Sequence, residues 1–105
     1  SALLDTPTWR ANLDWAARLG YDPIALAAVN RRAIDFVTDL AAGRPGLLYV
    51  VNGVIGPRGD GYRPDAQMSI PEAADYHALQ IDAFRRAGAD MASAVTMNYP
   101  EEAAG

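Results

Sequence analysis

The fold of this chain is decided by the run Leu47-Leu48-Tyr49-Val50-Val51, in which five apolar residues follow one another. A strand of a parallel sheet is covered on both faces and is therefore apolar without alternation. Two further apolar segments lie at nearly equal distances from this run. Ala2-Leu3-Leu4 begins 45 positions before it, and Met91 to Met97 begins 44 positions after it. The sequence therefore predicts three parallel strands.

The segments between these strands carry the start and stop signals of helices. Asp22-Pro23 is an N-cap followed by proline, and Gly43 ends that segment. Ser69-Ile70-Pro71-Glu72 has the form of a capping box, and Gly88 ends the helix that follows it. A shorter helix is predicted from about Asn12 to Leu19. Because strands alternate with helices, we expect an α/β fold of consecutive βα units, forming a single segment over residues 1–105.

Helical spacing also predicts which faces of the two long helices are buried. The first inner face is predicted to contain Leu26, Val29, Ala33, Phe36, Val37 and Leu40. The second is predicted to contain Ile70, Ala74, His77, Ile81 and Phe84. His77 is the only histidine, and a single histidine on such a face favours a hydrogen-bonded core residue over a base or a metal ligand.

Composition and charge exclude several classes of protein. The chain is 50% hydrophobic and 21% charged, as in ordinary globular domains, and it has no apolar run of the ~20 residues that span a bilayer. The absence of cysteine fits a reducing compartment, so we expect a cytoplasmic protein without a membrane partner. The net charge of −4, with arginines interspersed among acids, argues against nucleic-acid binding.

Polar and glycine-rich segments follow each predicted strand. They are residues 5–12, 52–62 and 96–102. In parallel α/β sheets and barrels the carboxyl ends of the strands carry the functional site. We therefore expect function on one face of the sheet.

Five short motifs occur in order along the chain. They are Thr6-Pro7-Thr8-Trp9-Arg10-Ala11-Asn12; Asn52-Gly53-Val54-Ile55-Gly56-Pro57-Arg58-Gly59; Met68-Ser69 with Tyr76-His77 and Gln80; Gly88-Ala89-Asp90; and Glu102-Ala103. Together they resemble the T-N-T-[aromatic]-x-A-S, G-S-[IV]-G-P-x-G, [LM]-S…[FY]-H-x-x-Q, G-A-D and E-A motifs of the homocysteine S-methyltransferase family, which includes the betaine–homocysteine methyltransferases.

This resemblance implies a (β/α)₈ TIM barrel, a fold that typically needs ~250 residues. The chain would supply about the second to fourth strands, as a fragment of a larger barrel domain. The parent enzyme would transfer a methyl group from a sulfonium or ammonium donor to a thiol acceptor. In such enzymes zinc held by three cysteines activates the thiol, but those cysteines belong to later strands and are absent here. We therefore expect no cofactor or metal site in this chain and an inactive chain in isolation.

The resemblance and the strand-end positions together give a set of substrate-binding candidates, with no catalytic residue assigned. They are Thr8, Trp9, Arg10, Asn52, Gly56, Arg58, Thr96 and Asn98. Trp9 lies where the family has an aromatic residue near the methyl donor, and an indole face attracts a cation by about 0.5–2 kcal/mol. The alternative is that Trp9 packs its turn onto the neighbouring strand. Arg10 would repel a cationic donor, and its alternative role is to hold a substrate carboxylate.

The loop after the second strand is expected to place Gly56 and Gly59 at positive φ and to leave Arg58 and Asp60 exposed. Its alternative is a rigid turn without a ligand.

The residues after the third strand give two further expectations. The family places a glutamate where this chain has Val95, and the absence of that carboxylate weakens the case for homocysteine as the acceptor. Glu101 and Glu102 are expected to be first-turn acids of a helix.

Two other functions remain open from the sequence. One is a non-catalytic α/β module that binds a small anionic ligand through Arg10, Arg58 and the glycine loop, and the other is an inactive structural fragment. In each case the open edges of the predicted sheet favour self-association or a complementing chain, through the flanks of the Ala2 and Met91 strands.

Overall fold

The computed structural model describes residues 1–63 and 66–105 and contains three strands and four helices in these ranges. In chain order the elements are β1 (Ala2–Asp5), α1 (Leu13–Arg18), α2 (Pro23–Ala42), β2 (Tyr49–Ile55), α3 (Ile70–Ala87), β3 (Met91–Ala94) and α4 (Pro100–Ala104). The strands form one parallel sheet in the order β1-β2-β3. The predicted α/β fold is confirmed.

The central strand β2 is displaced from the predicted run. Leu47 and Leu48 precede it and are 56% and 72% exposed, whereas Asn52 and Gly53 lie inside it. The reason is that β2 must pair with two neighbours in succession. Its residues 49–52 pair with β1, and its residues 52–55 pair with β3.

The third strand is shorter than predicted. β3 ends at Ala94 although the apolar pattern continues to Met97. Thr96 has φ of +59°, in the left-handed region, and this turns the chain away from the sheet. Thr96 also begins the polar segment 96–102, which agrees with an earlier end of the strand.

The helix boundaries agree with the sequence signals. The Asp22 side chain accepts the N–H of Ala25 at 2.7 Å at the start of α2. At the start of α3, Ser69 and Glu72 form both halves of the predicted capping box. None of the helices in the described ranges is long and apolar enough to cross a bilayer.

The predicted inner faces are only partly correct. On α2 the buried residues are Leu26, Asn30, Ile34 and Val37, whereas Phe36 and Leu40 are more than half exposed. On α3 they are Ala73, Tyr76, His77, Gln80, Ala83 and Phe84, and Ile70 and Ile81 are exposed. The apolar pattern missed Asn30 and Gln80 because these polar side chains are buried with hydrogen-bond partners in other segments.

The core lies between the two long helices and one face of the sheet. It consists of Ile34 and Val37 from α2, Val51 and Ile55 from β2, and Phe84 from α3. The Phe84 ring packs directly on the backbone of Gly53, where a side chain would collide with it. This explains the glycine in the middle of β2. Because strand residues alternate between faces, Asn52 lies on the opposite face of the sheet.

Candidate functional site

Three loops follow the carboxyl ends of the strands, and they meet around Trp9. The indole Nε1–H donates to Thr96 Oγ1 at 3.0 Å, which joins the loop after β1 to the loop after β3. Asn98 Nδ2 donates to the Gly61 carbonyl at 2.9 Å, which joins the loop after β3 to the loop after β2. The candidate site is therefore the rim formed by these three loops.

Gly56 allows the β2 loop to approach Trp9. A Cβ atom built on Gly56 would lie 2.5 Å from both the Trp9 carbonyl oxygen and Nε1. Gly56 is not among the positive-φ glycines, so the prediction for its backbone is wrong, and close contact explains the residue instead. Gly59 has φ of +75°, as predicted. Arg58 and Asp60 are exposed, also as predicted.

Thr8 and Asn52 are buried and bind other parts of the protein. Thr8 Oγ1 donates to the Val54 carbonyl at 2.6 Å and lies 2.6 Å from Thr6 Oγ1, so it fastens the β1 loop to β2. Asn52 donates to Asp5 Oδ1 at 2.8 Å and accepts from Ser93 Oγ at 3.0 Å. Asn52 therefore connects all three strands. In this structure both buried side chains hold the strands and the β1 loop of the candidate site in place.

Arg10 is exposed and stacks on aromatic rings. Its guanidinium carbon lies 4.8 Å from the Trp9 ring centre and 4.3 Å from that of Trp15. The cationic guanidinium of Arg10 therefore already lies against the Trp9 indole. A cationic ligand at Trp9 would have to compete with it or use another part of the ring.

Arg58 is held by three groups of the protein. Its Nε donates to Asp14 Oδ2 at 2.8 Å, its guanidinium lies 4.5 Å from the Tyr76 ring centre, and its backbone N–H donates to Glu102 Oε1 at 2.7 Å. The hydrogen bond with Asp14 raises the pKa of Arg58, although burial opposes this. The side chain fixes the β2 loop to α1 and α3.

Glu102 lies in the first turn of α4, as predicted, and it has a second role that the sequence did not show. It is only 2% exposed, and its Oε1 also lies 2.9 Å from His77 Nε2. The carboxylate therefore joins α4, α3 and the β2 loop. His77 is a buried, hydrogen-bonded core residue, as predicted. The E-A and H-x-x-Q motifs were the only sequence signals for this pair.

Two more α3 residues hold the β1 loop. Tyr76 Oη donates to Asn12 Oδ1 at 2.9 Å and accepts the Asp14 N–H at 3.1 Å. Gln80 Nε2 donates to the Thr8 carbonyl at 3.0 Å and to Asn30 Oδ1 at 3.0 Å. We call Tyr76, His77 and Gln80 the α3 clamp, because together they bind the segments that follow β1 and β3. Motif spacing identified these residues, but it did not show what they do.

The described residues do not fit the zinc site that the resemblance implies for the parent. The chain contains no cysteine. Within residues 1–63 and 66–105 no three side chains of histidine, aspartate or glutamate come together to hold a metal. Three converging protein ligands are the usual requirement for catalytic zinc. We therefore assign no metal-dependent step to these residues.

Comparisons with known proteins agree with this architecture. A sequence model of the homocysteine S-methyltransferase family matches residues 1–105. Two crystal structures of the homocysteine methyltransferase MmuM from Escherichia coli, a metallated and an oxidized form, each superimpose with a TM-score of 0.79 at 22% identity. The match covers 95% of this chain but only 38% of the MmuM chain, and at this identity it shows the fold alone. No curated protein matches the sequence significantly. The chain thus has the fold of part of a TIM-barrel-like methyltransferase, and it belongs to the homocysteine S-methyltransferase family.

Proposed function

We propose that this chain forms part of the substrate-binding rim of an enzyme that transfers a methyl group from a sulfonium or ammonium donor to a thiol. The observation that carries the proposal is the convergence of three strand-end loops on Trp9, through its 3.0 Å hydrogen bond to Thr96. Family membership supports the reaction class. The chain spans 38% of the solved relatives' length, and the proposed activity is that of a larger parent enzyme.

The chemistry defines what such a rim must do. The sulfur of the acceptor, as a thiolate, attacks the donor methyl carbon, so that a new S–C bond forms while the old bond to sulfur or nitrogen breaks. The donor leaves as a neutral sulfide or amine. A thiol has a pKa of about 8.5, so thiolate is scarce at neutral pH unless another group stabilises it. In the family that group is zinc, and the described residues of this chain contribute binding and orientation.

Five of the candidate residues are at least partly exposed. They are Trp9, Arg10, Arg58, Thr96 and Asn98. The proposed role of Trp9 is to present aromatic surface to the donor cation, and that of Thr96 is to fix the orientation of the indole. The proposed role of Thr8, Asn52, Gly56 and Arg58 is to hold the loops in place.

The proposal is tested by titrating the chain with trimethylsulfonium, with tert-butanol as a neutral control of similar size, and following the tryptophan Nε1–H signals by NMR. A cation–π contact of about 0.5–2 kcal/mol predicts that the sulfonium binds about 2- to 30-fold more tightly than the alcohol. Trp9→Leu should abolish this preference, and Trp15→Phe should keep it. Equal binding of the two probes, or an unchanged preference in Trp9→Leu, would contradict the role of Trp9.

The alternative of an anion site in the glycine loop has less support. It requires a free Arg58, whereas this guanidinium is already bound by Asp14 and packed on Tyr76. An inactive structural fragment remains the other alternative, and loss of sulfonium binding would favour it. The cytoplasmic location, and the absence of nucleic-acid and membrane partners, stay predictions.

A further inference from the structure

A pocket of about 300 Å³ lies beside the rim, between α1, α2 and the β1 loop. Its walls are mainly apolar and include Pro7, Trp15, Leu19, Leu26 and Val29. Arg10 is the one charged residue that lines it in the described part of the chain. Ligand pockets of this kind, apolar with a single polar group, bind small molecules through their apolar part and orient them through the polar one.

Arg10 is positioned to bind an anion. Its guanidinium lies against the rings of Trp9 and Trp15, at 4.8 and 4.3 Å, and this stacking restricts its plane. Among residues 1–63 and 66–105 no carboxylate forms an ion pair with it. A fixed guanidinium loses little entropy when it forms two parallel hydrogen bonds with a carboxylate.

The acidic residues around this segment of the chain have other partners. Asp5 Oδ1 accepts from Asn52 at 2.8 Å, Asp14 is paired with Arg58 at 2.8 Å, and Asp22 caps α2 through the N–H of Ala25. A second guanidinium, from Arg18, lies 4.5 Å from the Trp15 ring centre and adds positive charge. The charge of the pocket mouth is therefore positive.

We infer that this pocket binds a small carboxylate with an apolar chain, whose carboxylate pairs with Arg10 and whose chain lies against Trp15, Leu26 and Val29. The inference does not depend on the proposed methyl transfer, because the pocket lies beside the rim. Arg10 is the one rim residue that the proposed binding requires.

Octanoate tests the inference, with 1-octanol as an uncharged probe of the same chain length and octylammonium as a cationic one. The Arg10 Nε–H and Trp15 Nε1–H signals report binding by NMR. Arg10 is exposed, and a solvent-exposed ion pair contributes about 0.2–1 kcal/mol, so octanoate should bind about 1.4- to 5-fold more tightly than octanol. Octylammonium should bind more weakly than octanol.

Arg10→Gln should remove the preference for octanoate over octanol, and Arg18→Gln is the matched control. Arg18 stacks on the same Trp15 ring but does not line the pocket, so the preference should remain. Val29→Phe fills the pocket away from Arg10 and should weaken octanoate and octanol together. Circular dichroism confirms that each variant is folded.

Three results would overturn the inference. The first is equal affinity for octanoate and octanol, or no saturation at millimolar concentrations. The second is a preference that survives in Arg10→Gln. The third is an affinity for octanoate that falls as the protein concentration rises, which would mean that a second copy of the chain covers the pocket. A change in trimethylsulfonium binding without a change in octanoate binding tests the rim and does not test this pocket.

Discussion

At the scale of single residues, Glu102 shows how one buried carboxylate can connect several segments. Its Oε1 accepts the Arg58 N–H at 2.7 Å and lies 2.9 Å from His77 Nε2. Removing it would leave a buried imidazole and a backbone N–H without their partner. The loss of such an acceptor is more costly than the hydrogen bonds themselves contribute, because both groups stay buried without water.

We therefore predict that Glu102→Leu lowers the free energy of unfolding by about 2–5 kcal/mol. The neighbouring Glu101→Leu is the control, since Glu101 is exposed and should change stability by at most about 0.5 kcal/mol. Urea denaturation followed by circular dichroism measures both. Similar stabilities of the two variants would show that the Glu102 contacts do not hold the fold.

A second prediction separates the two glycines of the β2 loop. A Cβ at Gly56 would collide with Trp9, so Gly56→Ala should cost about 1–3 kcal/mol and shift the Trp9 Nε1–H signal. At Gly59 a Cβ meets no atom within 4 Å, and only the positive φ opposes it. Gly59→Ala should therefore cost about 1–2 kcal/mol without moving that signal. An unshifted Trp9 signal in Gly56→Ala would contradict the close contact.

The motifs singled out Thr8, Asn52 and Arg58 as site candidates, and these assignments stay predictions. In the structure all three side chains bind other parts of the protein, and Asn52 lies inside β2 instead of after it. A motif records that a residue type is needed at a position. It does not show whether the side chain faces a ligand or a neighbouring loop, because that depends on how the segments pack.

At the scale of the elements, α3 determines how the rim is assembled. The α3 clamp contributes hydrogen bonds to segments that are distant in the chain, from Thr8 to Glu102. Apolar spacing predicted that α2 and α3 exist, and capping residues predicted where they begin and end, because both signals are local properties of the sequence. These signals did not predict that Asn30, Tyr76 and Gln80 face the core. Their burial depends on partners in other segments, which local patterns do not reveal.

Tyr76 of the clamp gives a pH-dependent prediction. Burial raises its pKa to about 12, against an ordinary value of about 10. Between about pH 10 and 12 an unfolded tyrosine loses its proton while the folded Tyr76 keeps it, so stability falls as the pH rises through this range. Its contribution is fully present below pH 10.

Tyr76→Phe should remove the decrease in stability that Tyr76 causes at alkaline pH. The difference in the free energy of unfolding between the original chain and the variant should therefore shrink between about pH 10 and 12. Tyr62→Phe serves as the control because Tyr62 is 83% exposed. Urea denaturation at several pH values measures the difference. A difference that is constant with pH would show that Tyr76 titrates alike in the folded and unfolded states.

At the scale of the whole molecule, the sheet has two open edges. β1 and β3 each pair only with β2 within the described residues, and Leu3 and Met91 on them are 56% and 43% exposed. Open parallel edges with exposed apolar side chains are available for pairing with further strands. This supports the prediction that the chain self-associates or packs against a complementing chain.

We expect light scattering to give a mass above that of an 11.2 kDa monomer, increasing with concentration. The double variant Leu3→Lys, Met91→Lys should reduce this mass, because charges on edge strands oppose pairing. Ile24→Lys is the control, since Ile24 is 83% exposed and lies on α2, not on an edge strand. A monodisperse monomer at all concentrations would refute the prediction.

The left-handed backbone of Thr96 has a consequence for the role of Trp9. A β-branched residue in this region carries strain of about 1–3 kcal/mol, and the hydrogen bond from Trp9 is one of the contacts that hold it there. The indole of the loop after β1 therefore holds the backbone of the loop after β3 in an unfavourable conformation. The two loops are energetically coupled through this one hydrogen bond.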